Sequence, residues 1–445
     1  MMSIKEINTK VCIIGAGASG LVVSNILSKY GVPCVVIEQQ AQSELYAKFR
    51  ASLIDRRTMA ILQEHGLSDR LLRAGKPQGK CEFRTPQDSF ILDYARLSGG
   101  QTCYSYPQQE LISDLLYKFQ ASGGQILFDT RAIEIQNERY GAKVICQYRD
   151  RELTINSDFI AGCDGSQGIS RTSIPESIAR SNTVSRNYAW LEVTAEVPPS
   201  SDRIIYGTHP RGFAAHLLGT DNLSRFYLQI ALEDTIADWT SDRIWSELQL
   251  RLAQDDWTLN EGIILGRQIL TLDSYIAQTM QYKSLFLAGD AAHAISPAAE
   301  QSVNLAIQDA DVLAKSFACY YCCQDNQLLK NYSTSRLPEV YRTHDFFNSL
   351  LHTVNTPTEN NSEDRNLFNL LQKFKLAQLM NSESYAKDFA YSYVGAATET
   401  VIQPTVTDRQ LLPPARLLEP EPLVVGVGNT AIEYSANAKD SRHPF

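Results

Sequence analysis

The chain has no apolar run near the roughly 20 residues that a membrane-spanning helix needs, and no stripe rich in lysine and arginine. Its 41 Lys and Arg are outnumbered by 50 Asp and Glu, for a formal charge of −9. The first absence argues against a membrane span. The second argues against a nucleic-acid partner, whose phosphates call for clustered cations. The opening MMSIKEINTK runs straight into a strand-like stretch, so the expectation is no signal peptide and a cytoplasmic location. The 9 cysteines are odd in number and lack the spacing of a disulfide framework. Cys12, Cys34 and Cys163 fall in apolar runs and read as small core residues. Cys319 and Cys322 form a CxxC with no second pair, inside a helical pattern, and the 7 histidines show no HExxH-type spacing, so no metal site is expected. What remains is an ordinary α/β composition, 44% hydrophobic and 20% charged over 445 residues, enough for two domains.

Within that composition the first strong pattern is local. The apolar stretch Lys10–Ile14 is followed by Gly15-Ala-Gly17-Ala-Ser-Gly20, a helical stretch to about Lys29, and a second apolar strand, Cys34–Ile37, ending at Glu38. This is the dinucleotide fingerprint in its full βαβ context. Gly15 permits the tight turn, Gly17 lets the backbone approach a pyrophosphate, and Gly20 lets helix and strand pack closely. Glu38 is placed to accept hydrogen bonds from a ribose diol. Two further strand-to-turn passages carry an acid at the turn: Phe159–Asp164 with Gly165, and Leu285–Ala288 with Gly289-Asp290. In the latter a helix begins near Val303-Asn304, so its N-terminus and Asp290 face the same ligand.

These segments, together with Arg96-Leu-Ser-Gly-Gly100, His209-Pro-Arg-Gly-Phe213 and Tyr393-Val-Gly395, resemble the 4-hydroxybenzoate 3-hydroxylase family of single-component FAD monooxygenases over about residues 8–395. The resemblance implies a glutathione-reductase-like FAD-binding domain of Rossmann type, formed by 1–77, 103–182 and 274–395 with C-terminal helices. An inserted antiparallel substrate sheet would take 78–102 and 183–273. It also implies a homodimer, FAD reduced by NADH or NADPH, and oxygen transferred from a flavin C4a-hydroperoxide to an aromatic ring. Position by position, FAD contacts fall on Gly15, Gly17, Gly20, Glu38, Arg50, Gln108, Asp164, Asp290 and Asn304. The substrate pocket falls on Trp190, Ile204, Ala215, Leu217, Arg225, Tyr227 and Ala298, and the proton-handling and substrate-hydroxyl positions on Tyr206, Tyr393 and Pro297. A period of two puts Phe213, Ala215, Leu217 and Gly219 on one face of a strand, and Arg225, Tyr227 and Gln229 on one face of the next.

The departures from the family pattern are as informative as the matches. Leu217 and Gly219 stand where the family clasps a substrate carboxylate with serine and arginine, so 4-hydroxybenzoate is not the expected substrate. A neutral, larger or differently substituted phenol or arylamine is, with Ala215 and Ala298 widening the site. Gln78 replaces the outer histidine of the tyrosine relay. At the flavin edge Ala299 and Ser302 stand where the family has glycines, Glu300 where it has a small residue and Gln301 where it has lysine. Gln39, Glu44, Gln167 and Asp273 replace nicotinamide-binding residues, three of them arginine, histidine and arginine, so the expectation is NADH over NADPH or an unusually weak nicotinamide dependence. Two other readings stay open: a flavoprotein on this scaffold that does not hydroxylate (an oxidase, dehydratase or rearrangement enzyme), or a non-catalytic binding protein. Residues 396–445 exceed the family's length and read as a proline-rich extension.

Overall fold

The computed structural model describes residues 5–46, 51–138, 141–179, 181–295, 302–356 and 362–395. Arg50, Pro297 and Ala298 lie outside these described residues, as do positions 299–301 and the extension 396–445.

The first strand, β1 (Lys5–Ile14), leads into helix α1 (Ala18–Lys29) and strand β2 (Cys34–Ile37). Val11 to Ile13 and Val36 are fully buried, as a parallel strand covered on both faces must be, and this is why the segments read as unbroken apolar runs. Helix α1 is buried from Ala18 through Leu27 between this sheet and helix Ser302–Cys323, so it lacks the usual polar stripe. The sheet runs in the order Gln281–Tyr282, Leu285–Leu287, Arg151–Gly162, β1, β2, Gln125–Leu127. Ile14 lies opposite both Ile37 and Gly162, and Gly162 opposite Leu287. The three turns read from the sequence therefore leave the sheet level with one another at its carboxyl edge, where doubly wound sheets bind their ligands.

A second, seven-stranded sheet has the order Ile263–Thr271, Tyr188–Glu196, Leu223–Ala231, Ala214–Thr220, Ile204–Gly207, Cys81–Arg84, Ser89–Leu92. Its two faces alternate residue by residue. Ala189, Leu191, Ile205, Ala214, Phe226 and Leu228 pack beneath Trp245 and Leu248 of helix Ser241–Arg251. Trp190, Ile204, Tyr206, Phe213, Ala215, Leu217 and Tyr227 face the other way, closed over by helices Tyr332–Val354, Ser362–Asn381 and Glu383–Tyr393.

Candidate active site

Two clefts meet along the carboxyl edge. The first, of about 360 Å3, is bordered by Gly15, Gly17, Glu38, Gln108 and Asp164. The second, of about 530 Å3, runs past Gln108 and Gln167 to Asp290, Arg225 and Tyr227. Gln108 and Gln167 border both, so the two are continuous.

Gly15 has φ +102°, and a Cβ there would lie 2.4 Å from the Cys163 carbonyl oxygen; one on Gly20 would lie 2.0 Å from the Gly15 oxygen. Both positions are closed to any side chain. A Cβ on Gly17 would meet nothing within 4 Å, so that glycine holds open the cleft at the N-terminus of α1. Helix α1 has no side-chain cap, leaving its first N–H groups and dipole for an anion. Glu38 is pre-set by the Ala16 N–H at 2.8 Å and the Gln40 N–H at 2.9 Å. Asp164 accepts from the Ser170 N–H at 2.9 Å through Oδ2, while its buried Oδ1 has no donor among the described residues. Burial pushes this carboxyl above its usual range. A buried acceptor left open beside a glycine-lined cleft fits the hydroxyl-rich, pyrophosphate-bearing FAD.

Asp290 sits exposed on the single turn Gly289–Ala291 and borders the second cleft. The turn is anchored from behind, in a way the sequence did not suggest. Asp309 of helix Ser302–Cys323 is fully buried and accepts from the Gly289 N–H at 3.0 Å, His293 Nε2 at 2.5 Å and Arg336 Nε at 2.7 Å. Burial would raise its pKa, but His293 and Arg336 outweigh that and hold it below the usual carboxylate value.

Asn304 lies in the first turn of helix Ser302–Cys323. Its side chain is buried, accepts from the Asp55 N–H at 3.1 Å and donates to the Leu53 oxygen at 2.8 Å, tying the helix start to strand Ala51–Ile54. Asp55 is itself buried, which raises its pKa to about 6 against the opposing Thr58 N–H and Arg57. A raised carboxyl pKa stabilises the fold fully below the unfolded value near 4, and that contribution is lost as pH rises through about 6, by roughly 2–3 kcal/mol. Gln308 Oε1 is buried without a donor and Gln308 Nε2 lies 3.4 Å from Asp55 Oδ2, so an asparagine amide could donate to it. Asp55→Asn is therefore expected to flatten the decline in melting temperature between pH 4 and 7 relative to the unaltered protein; parallel pH curves would refute this.

On the second sheet the predicted faces assemble as one row. Tyr206 lies opposite Ala215, Ala215 opposite Tyr227, and Tyr227 opposite Glu192. Leu217 lies opposite Arg225 in the adjoining row. Trp190 stacks obliquely on Phe213 and Tyr227, with ring centroids 4.7 and 5.0 Å away, and donates to Asn355 Oδ1 at 2.8 Å. Ile204 is buried in the same cluster. Gly219 departs from the strict alternation: the pairing register shifts between Leu217 and Thr220. A Cβ on Gly219 would sit 1.9 Å from the Leu223 oxygen. The backbone here has no room for the arginine that the family places at this position.

Tyr206 Oη and Tyr393 Oη are 2.9 Å apart, and both rings are buried. Tyr393 ends helix Glu383–Tyr393 and is followed by Gly395 at φ +65°, a glycine helix stop whose Cβ would strike the Asp55 carboxylate at 2.3 Å. Burial, then Tyr206, pushes the Tyr393 phenol well above its usual value. Gln78 ends strand Lys76–Gln78 opposite Cys103, half-buried.

Glu192 was not among the site residues expected from the sequence. It takes hydrogen bonds from Arg225 Nε at 3.1 Å and from Arg225 Nη2, which also donates to Tyr227 Oη at 3.2 Å. A signal was present: alternation along Tyr188–Glu196 puts a carboxylate on the Trp190 face.

The FAD binding domain family model matches residues 8–346. The chain is 29% identical over 399 residues to p-hydroxybenzoate hydroxylase of Acinetobacter baylyi, covering 89% of this chain and 97% of that one. It is 23% identical over 312 residues to 6-methylpretetramide 4-monooxygenase of Streptomyces rimosus, covering 68% and 73%. Among solved structures, p-nitrophenol 4-monooxygenase from Pseudomonas putida superposes with a TM-score of 0.74 at 16% identity, covering 89% of this chain and all of that one. Aklavinone-11 hydroxylase in complex with FAD and aklavinone gives 0.68 at 21% identity, covering 80% and 70%. The fingerprint, the acids at three level turns and these relatives agree: the chain belongs to the FAD binding domain family and is one of its FAD-dependent aromatic monooxygenases.

Proposed function

We propose that the chain hydroxylates a phenol or arylamine other than 4-hydroxybenzoate, using O2 and FAD reduced by NADH. The observation that best supports this reading is the Tyr206–Tyr393 hydroxyl pair at the end of an aromatic sheet face. A hydroxylated ring must be electron-rich when oxygen arrives, so the phenolic proton needs an exit. Tyr206 accepts that proton as it passes its own to Tyr393. With the Tyr393 phenol pushed up by burial, the pair conducts protons and does not store a tyrosinate. Bound FAD supplies the redox and oxygen chemistry that no side chain can. Gly15, Gly17, Gly20, Glu38, Gln108, Asp164 and Asp290 would hold it, and the resemblance adds Arg50 for the pyrophosphate. Trp190, Ile204, Ala215, Leu217 and Tyr227 position the substrate ring and exclude water from it. Pro297 and Ala298 complete that pocket by resemblance.

Leu217 and the bulge at Gly219 support the exclusion of 4-hydroxybenzoate, since a carboxylate there loses its charged partner. Gln39, Glu44 and Gln167 border the first cleft and Asp273 the second, and Glu44 would repel a 2′-phosphate, which supports NADH. No described helix is long and apolar enough to cross a membrane. A homodimer is supported by an exposed stripe of Leu367, Leu370, Leu371 and Phe374 on helix Ser362–Asn381, and native mass spectrometry would read it as twice 49.8 kDa.

The test is a panel of phenols and arylamines with the FAD-loaded protein, NADH and 18O2, with peroxide counted separately. Label in the ring of one product is the expected result. NADH oxidation that yields peroxide alone across the panel would overturn the proposal in favour of a non-hydroxylating flavoprotein.

A further inference from the structure

We infer that Glu192 is the specificity-determining residue of the substrate site, and that it selects aromatic substrates carrying a hydrogen-bond donor, an amine or a hydroxyl, at the end of the ring remote from the reacting phenol. This rests on the hydroxylase reading above and names its substrate class.

Glu192 shares one row of the sheet with Tyr227, Ala215 and Tyr206, so its side chain leaves the same face as the residues that enclose the ring. Three strand spacings of about 4.8 Å separate it from Tyr206. With the phenol hydroxyl at Tyr206, the far end of a para-substituted ring points along this row toward Tyr227 and Glu192. The bulged Gly219 has no room for a cation there, and Leu217 offers only hydrocarbon.

The Glu192–Arg225 pair is neutral as a whole, but its two members are presented unequally. The Arg225 side chain is 3% exposed and the Glu192 side chain 15% exposed, and both border the second cleft. Arg225 delivers Nε and Nη2 to the same oxygen, Oε1, and shares Nη2 with the Tyr227 hydroxyl. Oε2 accepts from none of the described residues. A carboxylate in a protected cleft with one oxygen satisfied and one open asks for a donor. A substrate ammonium, amine or hydroxyl completes it, whereas a substrate carboxylate placed there meets an acceptor of like charge. The pair also holds Tyr227 Oη through Arg225, fixing the ring beside which the donor arrives.

The experiment measures binding of tyramine, 4-hydroxybenzyl alcohol and 4-hydroxybenzoate to the FAD-loaded enzyme from the change in flavin absorbance, followed by product analysis. The unaltered enzyme is expected to bind tyramine and the alcohol at least about tenfold more tightly than 4-hydroxybenzoate, the scale of one discriminating hydrogen bond to a charged group. Glu192→Gln should shrink that ratio about tenfold. Because Glu192→Gln removes the negative charge that faces Arg225, the double variant Glu192→Met with Arg225→Met removes both charges together and should also erase the preference. An unchanged ratio in either folded, FAD-loaded variant overturns the inference. So does an equal loss for all three ligands, which would assign Glu192 to the flavin and not to the substrate. Discrimination without labelled product from any ligand would leave the inference standing and defeat the hydroxylase reading.

Discussion

Replacing Asp309 with asparagine is expected to destabilise the protein by about 3–5 kcal/mol, a large share of the 5–15 kcal/mol that keeps a typical domain folded. Asp309 is fully buried and is the ion-pair partner of both Arg336 and His293. An asparagine removes the charge that faces the buried guanidinium and keeps only one acceptor oxygen for the Arg336 Nε and the Gly289 N–H. Flavin affinity should fall with it, because the Gly289–Asp290 turn then loses its anchor. The damage belongs to the unpaired charge and not to lost volume, so Asp309→Asn combined with Arg336→Met should regain part of the stability that the single change loses. Denaturant titrations of both variants, with and without added FAD, read this out. A double variant no more stable than the single one would count against the ion-pair account. The pH sign follows from the lowered pKa of Asp309. A depressed carboxyl contributes stability above its unfolded value near 4, and the contribution is lost as pH falls through the folded value. The contribution of Asp309 should therefore be lost below about pH 4, separately from the decline that Asp55 causes between pH 4 and 7, and Asp309→Asn should lose this part of the acid response.

How much of this was readable beforehand depends on sequence distance. The fingerprint from Gly15 to Glu38 was legible because strand, turn, helix and strand are contiguous, and because Gly15 and Gly20 answer local steric demands while Gly17 leaves the cleft open. Alternation along 213–217 and 225–229 was legible because a strand's period is two wherever its neighbours are. It failed at Gly219, where the pairing to Leu223–Ala231 slips; a bulge is set by both strands and leaves no mark in one. Asp309, His293 and Arg336 carry no shared motif, and they meet only because helix Ser302–Cys323 packs beneath the turn and helix Tyr332–Val354 crosses it. Glu192 could be placed on its face from sequence, but its partner comes from another strand. The side-chain bonds of Asn304 to the backbone of Leu53 and Asp55 were not legible either, because those partners lie about 250 positions away in sequence.

Tyr206→Phe and Tyr393→Phe should each slow product formation by about 10²-fold or more, the usual scale of a lost general acid–base contact, while NADH-driven flavin reduction changes little. The argument rests on what a hydroxyl pair 2.9 Å apart can and cannot do. Each phenol accepts one proton and releases another, so removing either oxygen breaks the same chain. The double variant should consequently be no slower than the slower single one, the non-additivity of groups that act as a unit. Stability should fall by only about 1 kcal/mol per variant, since phenylalanine keeps the ring and loses one hydrogen bond. That separates the relay from mere packing, because Tyr393 also stacks against Phe389 and lies 4.8 Å from Tyr94 between ring centroids, contacts that a phenylalanine preserves. The pH profile gives a further check. A relay that draws protons off the bound phenol should let the unaltered enzyme hydroxylate well below the free phenol's own pKa, near 10. Each variant should recover rate only as pH approaches that value. Rapid-reaction spectroscopy that finds flavin reduction and product formation slowed equally, with no change in the pH profile, would leave Tyr206 and Tyr393 as two packed tyrosines.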